Sequence, residues 1–112
     1  MAGEEDFVIR VTRTRVSQGY EEAFLRDIRS KAIPMLAAEP GIVYGAFGRR
    51  LEGDAHVYAG VSVWTDMGAL MRLTGEDTHA PLELDGGNEL IEEASVELYE
   101  LIGEWGRAAP AT

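Results

Sequence analysis

The stretch His56–Leu70, HVYAGVSVWTDMGAL, changes period in its middle. Up to Trp64 it alternates, with Val57, Ala59, Val61 and Val63 on one side and His56, Tyr58, Gly60, Ser62 and Trp64 on the other, the two-residue repeat of a strand. After Trp64 the pattern becomes helical, and Thr65 or Asp66 supplies a side-chain oxygen to cap the first turn of MGALMRL, which TGED at 74–77 ends. A strand that runs through a capped corner into a short helix is half of a βαβ unit. The aliphatic side of the strand suits packing under helices, and the mixed aromatic and polar side suits the lining of a cavity.

Upstream, LEGDA at 51–55 is a turn in which Gly53 can take positive φ, so IVYGAFGRR at 42–50 pairs back as an antiparallel strand, with Gly45 and Gly48 marking a bulge or a close approach. Before it, Tyr20–Ala38 carries Tyr20, Phe24, Ile28, Ala32, Met35 and Leu36 on one helical stripe, opened by Ser17 as a cap and by Glu21 and Glu22 in the first turn. Pro34 cannot donate to Ser30, so this helix kinks or restarts there, and EPG at 39–41 ends it. FVIRVTRTRV at 7–16 is a first strand. Downstream, a helical turn is expected around THAPLEL, Asn88 caps a helix ELIEEA, and SVELYELIGEW at 95–105 closes the sheet with Glu100 on its aliphatic side, where burial would require an arginine partner.

The order is β-α-β-β-α-β: an α+β, ferredoxin-like fold with a four-stranded antiparallel sheet covered by helices on one side. The 112 residues form a single domain with its core at about 7–105, and neither repeats nor low-complexity tracts interrupt it. The face carrying His56, Tyr58 and Trp64 is left to solvent or a second copy, so a homodimer is expected.

Composition narrows the function. There is no cysteine, which removes disulfides, thiolate metal sites and cysteine nucleophiles. A net charge of −10, with no Lys or Arg between Arg72 and Arg107, opposes binding to nucleic acid or an anionic membrane surface. The acidic start MAGEEDF has no basic and apolar leader pattern, and a cytoplasmic location is expected. His56 and His79 with Glu76 and Asp77 match no known metal-ligand spacing, so no metal is expected.

The element order, the helix GYEEAFLRDIRSKAIPMLAAEPGI, and VSVWTDMGAL followed by His79 fifteen residues after Trp64 together resemble the antibiotic biosynthesis monooxygenase family of dimeric α/β-barrel proteins. The resemblance implies a small aromatic or polyketide-like substrate in a cavity between sheet and helices, and oxygen chemistry on a substrate carbanion without metal or flavin. It places Trp64 at a pocket position and His79 as a helper in proton removal. It also implies a polar amide where this chain has Gly60, and an acid where it has Ser62. Haem-degrading proteins of the same superfamily fit less well: their first-strand asparagine falls on Thr12 or Thr14, their tryptophan near Leu73 and their histidine ligand near Glu83.

The residues expected to bind substrate are Trp64, Tyr44, Ser62 and His56, and those expected to move a proton are His79 and Tyr58. Each has a plainer reading: Trp64 as packing, the tyrosines as core or interface, the histidines as surface. Arg10 or Arg49 could neutralise a bound anion. A non-catalytic ligand-binding barrel, and an isomerase or cyclase on the same scaffold, are the alternatives to an oxygenase.

Overall fold

A computed structural model describes residues 6–80 and 90–106. The strands are β1 (Val8–Val16), β2 (Ile42–Arg49), β3 (Val57–Trp64) and β4 (Ile91–Glu100). The helices are α1 (Glu21–Asp27), α2 (Ile33–Ala37) and α3 (Met67–Thr74). The four strands form one antiparallel sheet in the order β2-β3-β1-β4, so the two halves of the chain interleave and β1 and β3 are central. This is the ferredoxin-like α+β fold expected from the sequence.

Several local expectations need correction. Ser17 does not cap α1: the helix starts after Tyr20 with no side-chain cap, the Ser17 carbonyl accepts from Tyr20 N–H, and the Glu21 carboxylate takes Gly19 N–H instead. The segment ELIEEA is not a helix over its described part, because β4 already begins at Ile91 and pairs with Val16. Tertiary pairing with an unsatisfied central strand outweighs a helical pattern of a single turn or so. β4 correspondingly ends at Glu100, five residues short of the expected limit, and Glu100 is exposed opposite Val8, so it needs no buried partner. The helical turn expected at THAPLEL and the Asn88 cap fall largely or wholly outside the described residues.

The Pro34 expectation resolves into a specific device. Between α1 and α2 the helix opens into a π-helical turn, Ile28–Ala32, immediately before the proline. A proline removes one backbone donor and crowds the carbonyl four residues earlier, and a wider turn accommodates both. Ile28 and Ala32, on its inner side, are buried.

The larger correction concerns the two sides of the sheet. Helices cover the mixed side, with Arg10, Gly60, Trp64 and Tyr58 all buried, and Phe24 of α1 lies with its ring centroid 4.9 Å from that of Tyr58. The aliphatic side, with Ile9, Val11, Ala59 and Val61, is the uncovered one; Val61 keeps 36% of its surface exposed and Tyr99 48%. The open side also carries Arg13, Arg15, Glu93 and Glu97, which keep contact with solvent, whereas the covered side borders a cavity.

Two glycines are fixed by close packing. A Cβ on Gly41 would overlap the Ala69 methyl of α3, so this glycine lets the helix sit against the start of β2. On Gly60 it would come to 2.8 Å from Thr12 Oγ1 and 2.9 Å from the Phe47 ring. The bulge in β2 lies between Ile42 and Tyr44, not at Gly45 or Gly48.

Candidate functional site

The site is built around the corner that ends β3. Asp66 caps α3, its Oδ1 accepting from Ala69 N–H at 2.7 Å, and Gly75 closes the helix with φ 81°. This holds Ala69 and Leu70, both fully buried, against Trp64 and Val8, with Ile42, Leu73 and Leu98 around them. Trp64 is 1% exposed, and its Nε1–H donates to Ser62 Oγ at 2.8 Å, so the indole's single polar group is satisfied within its own strand.

Beside this cluster a cavity of about 440 Å³ lies between the sheet and the helical segment. That is within the usual range for small-molecule pockets, roughly 300–1,000 Å³. Phe24, Ile28, Ala32, Met35 and Leu36 line it from the helical segment, the same stripe that the sequence pattern defines except for Tyr20, which is exposed. From the sheet come Arg10, Thr12 and Thr14 of β1, Phe47 of β2, Gly60, Ser62 and Trp64 of β3, and Ala94 and Val96 of β4. Most of the wall is apolar, with a few polar groups concentrated on β1 and β3.

Of the six residues singled out by sequence, Trp64, Ser62 and Tyr44 line this cavity and His56, Tyr58 and His79 do not. Tyr44 pairs in register with Val63, which belongs to the open side, so it meets the cavity at the edge strand and stays 42% exposed. Tyr58 is 3% exposed; its hydroxyl is buried without a hydrogen-bond partner among the described residues, and the Arg49 guanidinium lies 6.0 Å from its ring centroid. His56 precedes β3 and contacts the Glu21 carboxylate through Nδ1, an approach without hydrogen-bond geometry. Its backbone N–H donates to Asp54 Oδ1 at 2.8 Å, and this bond, helped by Arg15, holds the Asp54 carboxyl below its ordinary range. His79 is exposed, and its N–H donates to Asp77 Oδ1.

Two polar residues of the cavity carry more weight than the sequence pattern assigned them. Asp27 lines it from α1, its side chain mostly buried and 3.7 Å from Lys31 Nζ. Its position three residues after Phe24 and one before Ile28, on the rim of the apolar stripe, is the signal that could have found it. Arg10 is 3% exposed, and burial lowers its pKa from the ordinary arginine value. It donates through Nε to the Thr78 carbonyl at 3.2 Å and through Nη2 to the Ala80 carbonyl, gripping the segment on both sides of His79. Among the described residues no cluster of His, Asp and Glu could hold a metal ion, and no helix is long and apolar enough to cross a membrane.

A ferredoxin-like sheet covered by helices on one side defines the fold class, and solved structures share that fold. PA3566 from Pseudomonas aeruginosa superposes with a TM-score of 0.72 at 18% identity, over 90% of this chain and 99% of that one. SnoaB, a cofactor-independent oxygenase from Streptomyces nogalater, gives a TM-score of 0.67 at 20% identity, over 91% and 99%. A candidate antibiotic biosynthesis monooxygenase from Caulobacter crescentus gives 0.70 at 17% identity, over 88% and 92%. No protein-family profile and no curated protein matches the sequence. The fold is that of the antibiotic biosynthesis monooxygenases.

Proposed function

We propose that this chain binds a small aromatic or polyketide-like molecule in the cavity beneath α1 and α2 and oxygenates it without a cofactor. The observation that carries the reading is the cavity itself: apolar and aromatic over most of its wall, with Arg10, Thr12, Thr14, Ser62 and Asp27 among its few polar groups. Trp64, Ser62 and Tyr44 position the ring. An electron-rich substrate with an activated ring methylene loses a proton, and the resulting carbanion reduces molecular oxygen. A carbon–oxygen bond forms, the peroxide oxygen–oxygen bond breaks, one oxygen stays as a carbonyl and the other leaves as water, with the methylene supplying the electrons. The protein's share is to bind, take the proton and stabilise charge.

Two residues enter the reading as assistants in proton removal. Tyr58 has a buried hydroxyl with no hydrogen-bond partner among the described residues, and its ring packs on Phe24, which lines the cavity. His79 stands between the two carbonyls that Arg10 grips. The reading includes a cytoplasmic homodimer in which two copies pack their open sheet faces together, supported by the exposure of Val61 and Tyr99 on that side. Oxygen uptake with hydroxylated polycyclic aromatics tests the activity: Tyr58→Phe and His79→Ala should lower the rate by about a hundredfold if each transfers a proton. Absence of uptake with every such substrate would end the oxygenase reading.

One observation favours a second reading, a binding protein without chemistry. The Phe47 ring takes the space above Gly60, the position where the family resemblance implies a substrate-holding amide. Native mass spectrometry of freshly purified protein separates the two: a stoichiometric small ligand that is released unchanged in air favours binding alone.

A further inference from the structure

Among the described residues Arg10 is a buried charge bonded only to neutral carbonyls. It projects from the central strand into the covered side of the sheet, where it pairs in register with Ser62 of β3 and Leu98 of β4. A guanidinium stays protonated and has five N–H donors, and burying it without an anion is unfavourable. Only two of those donors have acceptors among the described residues, and both acceptors are neutral carbonyls. No carboxylate among the described residues forms an ion pair with it; Asp27, the acid lining the same cavity, lies beside Lys31. β4 faces it with a leucine, β3 with a serine.

Ser62 is poised in a complementary way. Its oxygen accepts from Trp64 Nε1 at 2.8 Å, which leaves its own O–H to be donated elsewhere. Arg10, Ser62 and Trp64 all line the cavity. A positive donor, a hydroxyl donor and an indole therefore stand side by side on two hydrogen-bonded strands.

We propose that Arg10 makes the cavity a site for an oxyanion: aromatic ligands bind as the phenolate or enolate, with the charged oxygen lodged between the Arg10 guanidinium and the Ser62 hydroxyl. The proposal rests on the reading of the cavity as a ligand site and adds to it the charge state of the ligand. It also gives the oxygenation reading its missing element, because a conjugated oxyanion held in this way is the form of the substrate that gives up electrons. Among the described residues, register and hydrogen bonding set Ser62, Leu98 and the Thr78 and Ala80 carbonyls against Arg10, and Asp27 with Lys31 belongs to the helical side of the cavity.

The test uses 4-nitro-1-naphthol, whose phenol and phenolate differ in colour, titrated free and in the presence of saturating protein. Preferential binding of the anion lowers the bound pKa, by about one unit for each tenfold in affinity. A drop of about one unit or more is expected with the native protein. Arg10→Gln should abolish it while the neutral phenol still binds, and Arg10→Lys should restore part of it. Should the glutamine variant fail to fold, the native protein labelled with ¹⁵N-arginine decides, since the Arg10 Nε–H resonance must move when phenolate is added. A bound pKa equal to or above the free value, or an unmoved Arg10 resonance with phenolate bound, overturns the oxyanion proposal and leaves the ligand cavity standing. Failure of both forms to bind a folded protein overturns the cavity reading as well.

Discussion

The two sides of this sheet come from the same four strands and have opposite fates. One carries Arg10, Thr12, Tyr58, Gly60, Ser62 and Trp64 beneath the helices; the other carries Ile9, Val11, Ala59 and Val61 and faces outward. By β3 alone the second side has the better claim to a core, but Arg13, Arg15, Glu93 and Glu97 share that side. The covered side holds the cavity and its polar groups, and the other side leaves Val61 and Tyr99 exposed.

The comparison is broken most severely at Trp64. On the covered side its removal takes away the anchor of the Val8, Ala69 and Leu70 cluster and one wall of the cavity. Trp64→Ala should cost about 3–5 kcal/mol in urea unfolding. Gly60→Val comes next: the new side chain meets Thr12 and the Phe47 ring, for a loss of about 1–3 kcal/mol and weaker binding of any cavity ligand. An unchanged midpoint for either variant would mean that the covered side is not packed as described.

On the open side the expected effect is on assembly and hardly at all on the folded chain. Val11 pairs with Val61 and Glu97 at the middle of the sheet, so a lysine there is tolerated beside the glutamate. Val11→Lys should change the stability of the isolated chain by less than about 1 kcal/mol. It should convert the proposed homodimer to monomer in light scattering coupled to gel filtration, because a lysine on the open side would have to be buried at the contact. A native protein that is already monomeric would leave the open side without the partner proposed for it.

How much of this was legible in the sequence follows from the same contrast. The two-residue alternation in HVYAGVSVW separates the sides correctly, and the capped corner at Asp66 and the turn at Gly53 fix the order of elements, because these are local signals. Which side the helices cover is not local. It depends on the crossover of α1 and α2 from β1, and hydropathy alone assigned it to the wrong side, since a cavity inverts the usual equation of apolar with buried. The cavity's helical wall was legible in the stripe from Phe24 to Leu36. Asp27 was missed, and Arg10 was only one of several arginines, because what distinguishes them is burial beside a cavity, which no spacing records.

The smallest expected effect sharpens the comparison in its electrostatics. On the covered side Arg10 has no acid partner among the described residues, whereas on the open side Arg13 Nη1 bonds Glu97 Oε1 at 2.9 Å and Glu97 also accepts from Tyr99. The bond from Arg13, then that from Tyr99, lowers the Glu97 pKa; the bond to Glu97 and its charge raise that of Tyr99. The signs are opposite in pH. Glu97, with its folded pKa depressed, contributes stability that is present above the ordinary glutamate value and is lost as pH falls through the lowered folded value. Tyr99, with its phenol favoured over phenolate, contributes stability that is present below the ordinary tyrosine value and is lost as pH rises through the raised folded value. Both groups are exposed in the single chain, so the contributions are small and screened by salt. Glu97→Gln should move the phenolate absorbance transition of Tyr99 back toward lower pH, read against Tyr99→Phe to isolate its signal. A transition that stays in place would show that Glu97 does not hold the phenol.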